Sequence, residues 1–291
     1  IRNNLGLLQK PQQIKDKKAK GIAELIVDVR NSYAEKLTKE KLFSWHEMVM
    51  QGAKRIKMGS WRTHQEPMQV ISGSFGKTKV HFEAPPSNQV PKEMAHFIKW
   101  FNKTHPNGKE PLKHSAIRSA ITHLYFETIH PFEDGNGRIG RALSEKALSQ
   151  GMGHPILLSL STMIETNKKS YYDALKKAQS SNEITPWIIQ FITTILEAHT
   201  HAEKEIKLTL NKAKFFDRFK GQFNDRQLKV IQRMLKEGQK GFKGGLSAKN
   251  YMTITGTSKA TATRDLQYLT EIGALIPFGG GRSTHYEINL K

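Results

Sequence analysis

Twelve consecutive residues, His130-Pro-Phe-Glu-Asp-Gly-Asn-Gly-Arg-Ile-Gly-Arg141, constrain this chain more than any other feature, because they set a glycine-rich turn between two helical patterns. Upstream, Leu112 to Ile129 places Ile117, Ala120, Ile121, Leu124 and Thr128 on one stripe, so a core helix is expected there, stopped by Pro131. Downstream, helical spacing resumes near Asn136 and runs through Leu143 and Leu148 to Gly151, read as the C-terminal cap. Gly135 and Gly137 let successive backbone N–H groups point into one concavity, and the helix start adds unpaired donors and a favourable dipole. An anion is stabilised in such a place. Arg138 and Arg141, spaced i and i+3, share a helix face and can bracket phosphate oxygens. Asp134 beside them is a hard-oxygen ligand suited to Mg²⁺, which bridges to substrate phosphates through one or two carboxylates. His130, with an ordinary pKa of about 6.5, is placed to take a proton from an attacking hydroxyl.

The rest of the composition narrows the chemistry. With no cysteine in 291 residues there is no disulfide framework, thiol nucleophile or thiolate metal site, so any reaction draws on histidine, carboxylates, hydroxyls and cations. Hydrophobic residues make up 37% and charged residues 25%, the balance of a folded chain long enough for two domains. No run of about 18 apolar residues and no signal-type stretch occurs, so no membrane partner is expected and the cytoplasm is the expected location. Lysine and arginine (46) against aspartate and glutamate (26) leave a net charge of +20, which attracts polyanions without choosing among nucleic acid, nucleotide phosphates and an acidic protein. The chain begins at Ile1 rather than Met, which reads as a trimmed or partial chain.

Residues 1–60 read as mostly helical, with Ile22, Leu25, Ile26 and Val29 at helical spacing and a second stretch opening at Thr38 with Leu42, Trp45 and Val49. From Met68 to Pro86, alternation with β-branched residues on both sides of Gly73, Ser74 and Gly76 predicts a β-hairpin, here called the flap. Helical period returns at Pro91 with Met94, Phe97, Ile98 and Phe101, and later at Thr185 and Pro186 with Trp187, Ile188, Phe191, Ile192, Ile195 and Leu196. The expected organisation is 1–110, N-terminal helices and flap; 111–200, a helical core with the motif; 201–221, a charged helical connector; and 222–291, a small second domain. In the last, helices are expected over Asn224–Lys236, Ser247–Met252 and Ser258–Ile272, with Ala262, Leu266 and Leu269 inward, then strands near 274–278 and 284–290.

His130 to Arg141 resembles the Fic family signature, H-P-F-x-[DE]-G-N-G-R-x-x-R, at every fixed position. At average residue usage, chance supplies such a match at roughly 10⁻¹¹ to 10⁻¹² of starting positions. The resemblance covers about residues 20 to 200: the hairpin is similar to the family's flap, and LYFETIHPF, YYDAL and TPWIIQF resemble helices around Fic sites. It implies a mainly α fold, a Fic-type helical bundle with a β-hairpin flap, and transfer of AMP from ATP onto a Ser, Thr or Tyr hydroxyl of a protein. By that resemblance His130 is the general base, Asp134 holds Mg²⁺ against the phosphates, and Gly135, Asn136 and Gly137 wrap them. Asn136 also ties the loop, Arg138 neutralises departing pyrophosphate and Arg141 meets the γ-phosphate end. Pro131 and Phe132 are read as structural. The flap, through Val70, Ile71 and Lys77, would pair with an extended target segment, which another copy of the chain could also supply. Tyr171 and Tyr172 stand between an adenine contact and ordinary core packing. Many members also carry an inhibitory helix of pattern [ST]-x-x-x-E-[GN]. Ser161 to Glu165 approaches it, but Thr166 breaks the pattern, and the helix is expected before Ile1, ahead of IRNNLGL at 1–7.

The segment ITGTSKATATRDLQYLTEIGALIPFGGGRSTHYEI resembles a winged helix-turn-helix. In a DNA-binding version Ser258, Lys259, Thr261 and Arg264 would face the major groove and Arg282 would approach from the wing. Dimerisation or protein docking is an equal alternative for this module, so DNA, a protein partner and a homodimer stay open. For the whole chain, two alternatives to AMP transfer remain: a Fic enzyme using another nucleotide or phospho-donor, and a DNA-binding regulator that senses nucleotide.

Overall fold

The computed structural model describes residues 16–72, 79–236 and 244–290. The IRNNLGL segment, Lys77 and the side chains of Val70, Ile71 and Arg282 lie outside the described residues. The chain forms two compact units, residues 1–199 and 200–291.

The first unit opens with α1 (Lys17–Asn31), capped by the Asp16 carboxylate, and α2 (Lys39–Val49), capped by the Thr38 hydroxyl. A β-hairpin follows, β1 (Gln69–Ser72) antiparallel to β2 (Lys79–Glu83), with the register shifting between Val70 and Ile71. Then come α3 (Val90–Lys103), α4 (Ser115–Ile129), α5 (Asn136–Met152), α6 (Leu160–Thr166), α7 (Lys168–Gln179) and α8 (Thr185–Arg218). Leu42, Trp45 and Val49 are buried as their spacing predicts, and so are Met94, Phe97 and Phe101 of α3.

Three expectations change. α4 buries far more than a stripe: Arg118, Ser119, Thr122, His123 and Glu127 are all buried with its apolar residues. The reason is that α4 and α5 serve two cores. Phe126, Ile129, Ile139 and Leu143 belong to one with α1–α3, while Ala120, Leu124 and Leu148 belong to another with α6–α8. Arg118 is tolerated there because Nη2 donates to Phe101 O (2.8 Å), Nε to Thr104 Oγ1 (3.1 Å) and Nη1 to Gln150 Oε1 (3.0 Å). Burial lowers its pKa to about 10. Second, α5 runs past Gly151 to Met152 and is capped by Gly153 at φ 75°. Third, Ile22 and Leu196 are exposed, so the apolar faces of α1 and α8 are narrower than their spacing implies.

The second unit begins inside α8, since Phe215 and Phe219 join its core. Around them lie α9 (Asp225–Leu235), α10 (Ala248–Thr255) and α11 (Lys259–Glu271), capped by Asn224, Ser247 and Ser258, with Gly256 at φ 71° closing α10. Ala262, Leu266 and Leu269 are buried. β3 (Leu275–Phe278) pairs antiparallel with β4 (His285–Ile288). Among the described residues no helix is long and apolar enough to cross a membrane.

Candidate active site

The site grows from the break between α4 and α5. His130 caps α4 in the left-handed region (φ 50°, ψ 60°), and it is the sole non-glycine with positive φ among the described residues. For a residue with a Cβ this conformation is uncommon and persists where surroundings enforce it. Two neighbours do so. Arg62 is 2% exposed, and its Nε donates to His130 O (2.8 Å), its Nη2 to Pro85 O and to Ile129 O (3.3 Å), and its Nη1 to Ser87 Oγ (2.9 Å). One guanidinium therefore holds the end of α4 and the exit of the hairpin together. Asn136 clamps the loop from the other side: its Nδ2 donates to Phe132 O (2.7 Å) and its Oδ1 accepts from Phe132 N–H (2.9 Å).

Phe132 is fully buried and stacks on His46 at 4.1 Å between ring centres. The His46 ring has a defined proton. Nδ1 accepts from Gly59 N–H (3.1 Å), so Nε2 carries the hydrogen and donates to Asp134 O (3.2 Å). Burial lowers its pKa and keeps it neutral. Gly135 sits at φ 89°, where a Cβ would press on Val49 and Met50, so the turn into α5 admits no side chain.

These supports line up the motif along an open cleft of about 750 Å³ walled by His130, Asp134, Gly135, Asn136, Gly137 and Arg141, with Phe82 of β2 and Tyr172 of α7. The N-terminus of α5 opens into it. Arg138 Nη2 pairs with Asp134 Oδ1 (3.1 Å) while its Nη1 donates to Val49 O (3.1 Å). Arg141 Nε donates to Ser161 Oγ (2.8 Å). Thus Ser161 and Glu165 lie on α6, where Ser161 positions the second arginine.

His130 is mostly buried, and burial drives its pKa down to about 4, so the imidazole is neutral at physiological pH. Nδ1 faces Glu127, 3.4 Å from its backbone oxygen and 3.7 Å from Oε2, leaving Nε2 as the basic nitrogen. Tyr171 lines the cleft as a buried ring whose hydroxyl is bonded to His123 Nε2, while Tyr172 is about 43% exposed. Of the two tyrosines, only Tyr172 presents substantial surface to a ligand.

A magnesium site fits these residues in one form. Among the described residues no group of three His, Asp or Glu side chains could hold a metal ion. Asp134, with its side chain 56% exposed beside the α5 N-terminus, offers the single hard-oxygen donor that suits a cation arriving with phosphates.

His46, Arg62, Glu127 and Gly140 escaped the sequence reading as site residues. Arg62 lies 68 positions from His130 and carries no local signal. Glu127, one helical turn before His130, was the one that its i, i+3 spacing could have revealed.

Val70 and Ile71 lie on β1, opposite Phe82 and Val80 of β2. In the second unit Lys259 and Arg264 are exposed, whereas the Ser258 hydroxyl caps α11 by accepting from Thr261 N–H (3.3 Å).

Comparison with known proteins bears on the fold and on the region that carries this loop. The Fic/DOC family model matches residues 36–148. Protein adenylyltransferase fic-1 of Caenorhabditis briggsae is 26% identical over 149 residues, 51% of this chain and 25% of that protein. A probable protein adenylyltransferase of Aquifex aeolicus is 32% identical over 98 residues, 34% of this chain and 27% of that protein. The matches therefore span about a quarter of these curated relatives. In structure the chain is similar to a Fic family protein from Desulfovibrio desulfuricans, with a TM-score of 0.51 and 22% identity over 100% of this chain and 80% of that one. A Fic domain containing signaling protein from Bacteroides thetaiotaomicron matches with a TM-score of 0.51 and 19% identity, over 69% of this chain and 77% of that one. Residues 36–148 are thus a region that the Fic/DOC family model matches, within a fold similar to that of solved Fic proteins.

Proposed function

We propose that this chain transfers AMP from ATP to a Ser, Thr or Tyr hydroxyl of a protein, with His130 as the general base. The observation that carries the reading is a neutral imidazole held in the left-handed conformation at the lip of a cleft into which a glycine-lined helix N-terminus opens. His130 Nε2 takes the proton of the target hydroxyl, whose oxygen attacks the α-phosphorus as the bond to the β-phosphate oxygen breaks. Pyrophosphate leaves with that electron pair. The N–H groups at the start of α5 and the Arg138 and Arg141 guanidinium groups meet the phosphate charge, and Asp134 would hold Mg²⁺, which supplies further charge neutralisation at the phosphates. Positioning and electrostatics supply most of the rate, since the protein forms no covalent bond. The adenine would lie against Tyr172, and the outer edge of β1 would pair with an extended target segment, bringing its hydroxyl to His130.

The test uses α-labelled ATP with Mg²⁺ on a host lysate and on the chain itself, comparing wild type with His130→Ala. Covalent label that needs His130 is expected, with a loss of about 10²- to 10⁴-fold in the variant. Nucleotide binding without label in either protein would sink the reading.

A second proposal attaches to residues 200–291. Three helices followed by a two-stranded antiparallel sheet, with Lys259 and Arg264 exposed on α11, support a winged helix-turn-helix that binds DNA.

A further inference from the structure

Glu127 is the group that the AMP-transfer reading leaves unused. It projects from α4 one turn before His130, its side chain is 8% exposed, and its Oε1 has no hydrogen-bond partner. A carboxylate buried without full pairing is costly, and an apolar side chain would fill the space at lower cost. The fold nevertheless reserves room for it. A Cβ at Gly140 of α5 would collide with Glu127 Oε1 and press on the His123 ring. Its other oxygen, Oε2, lies 3.7 Å from His130 Nδ1, the ring nitrogen turned away from the reacting hydroxyl.

We propose that Glu127 is a positioning residue that pairs with His130 Nδ1, holding the proton there and balancing the imidazolium formed when Nε2 takes the proton of the target hydroxyl. This rests on His130 acting as general base, and the chemistry is that of a carboxylate orienting a catalytic imidazole. In the resting protein the Glu127 oxygen is one short side-chain adjustment from a direct bond, and the backbone oxygen of the same residue, 3.4 Å from Nδ1, holds the ring meanwhile. Burial raises the Glu127 pKa to about 7, with Arg141 of α5 opposing that rise. The other ionisable groups at the pair are Arg62 and Asp134 beside His130, Tyr171 of α7, and His123 of α4.

The experiment combines steady-state transfer kinetics with ¹⁵N correlation of the histidine side chains in the full chain, His130 being assigned by its loss in His130→Ala. The isosteric Glu127→Gln is expected to lower kcat about 10- to 100-fold with the KM for ATP unchanged, to remove a rise of kcat with pH through about 7, and to populate the tautomer protonated on Nε2. In wild type, without any variant, the His130 Nδ1 resonance should show an inflection near pH 7 that belongs to the carboxyl. A flat Nδ1 titration in wild type, or a Glu127→Gln protein with unchanged kcat and tautomer, overturns the pairing, the backbone oxygen then being sufficient. Failure of wild type to transfer label removes the AMP-transfer reading instead, and the resonance still decides the pairing.

Discussion

Two buried polar clusters, one in each unit, are built on opposite rules. In the second unit Asp265 of α11 is 6% exposed and fully answered: Arg226 Nε (3.2 Å), Gln227 Nε2 (3.2 Å), Tyr251 Oη (2.8 Å) and Asn224 Nδ2 (3.5 Å) all donate to it. In the first unit Glu127 Oε1, His123 Nδ1 and Thr122 Oγ1 are buried on one short stretch of α4 without hydrogen-bond partners. No such atom occurs among the described residues of the second unit. A satisfied network ties helices together at little cost, whereas an unsatisfied one spends stability. Of these residues Glu127 lies beside His130, its Oε2 3.7 Å from Nδ1, and burial raises its carboxyl to about 7 while lowering the His123 and His130 imidazoles to about 3 and 4.

The largest effect expected from breaking this contrast is at Arg62. Arg62→Ala strips partners from the carbonyls of His130, Ile129 and Pro85, so we expect a loss of about 3 kcal/mol in the first unit together with transfer activity. All four tryptophans (45, 61, 100 and 187) precede residue 200, so tryptophan fluorescence in urea reads that unit selectively. An unchanged midpoint with lost activity would show that the guanidinium shapes only the loop.

Next comes Asp265→Asn, expected to cost about 2 kcal/mol in the second unit and to leave the tryptophan transition in place. Burial pushes the Asp265 carboxyl up, and hydrogen bonds from Arg226 and Tyr251 outweigh it, leaving the pKa below the usual aspartate range. A lowered folded-state pKa gives stability that is complete above the unfolded value of about 4 and drains away as pH falls below it. Amide protection factors in α9 to α11, corrected for the intrinsic exchange rate, should therefore fall on acidification in wild type and respond less in the Asn variant. Equal responses would mean that another carboxyl carries the acid sensitivity.

The smallest effect is on the outside of the same helix. Lys259→Ala and Arg264→Ala are each expected to weaken duplex DNA binding severalfold and to reduce the salt slope by about 1, without touching transfer activity. Wild-type binding that ignores salt, or no binding at all, would assign the unit to a protein partner.

The elements near the site were legible because their signals are local. Thr38, Asn224, Ser247 and Ser258 cap helices where their side chains can bond the first turn, and Gly135 occupies a positive-φ turn that sequence spacing already demanded. The hairpin, too, was written in alternation. Illegible were the features set by two neighbours at once. α4 reads as an amphipathic helix, and its polar residues become buried because α5 carries it between two cores. The same packing draws Tyr171 inward onto His123, a contact 48 positions apart in the chain.

By itself, the sequence determined where the helices break, the glycine-rich loop from His130 to Arg141, and the match of residues 36–148 to the Fic/DOC family model. Each depends on neighbouring residues only. Tertiary structure alone decided that Arg62 holds the His130 carbonyl at the end of α4 and that His46 fixes the loop through Asp134 O. Those arrangements join residues up to 88 positions apart, and their energies appear only when packing removes water from both partners.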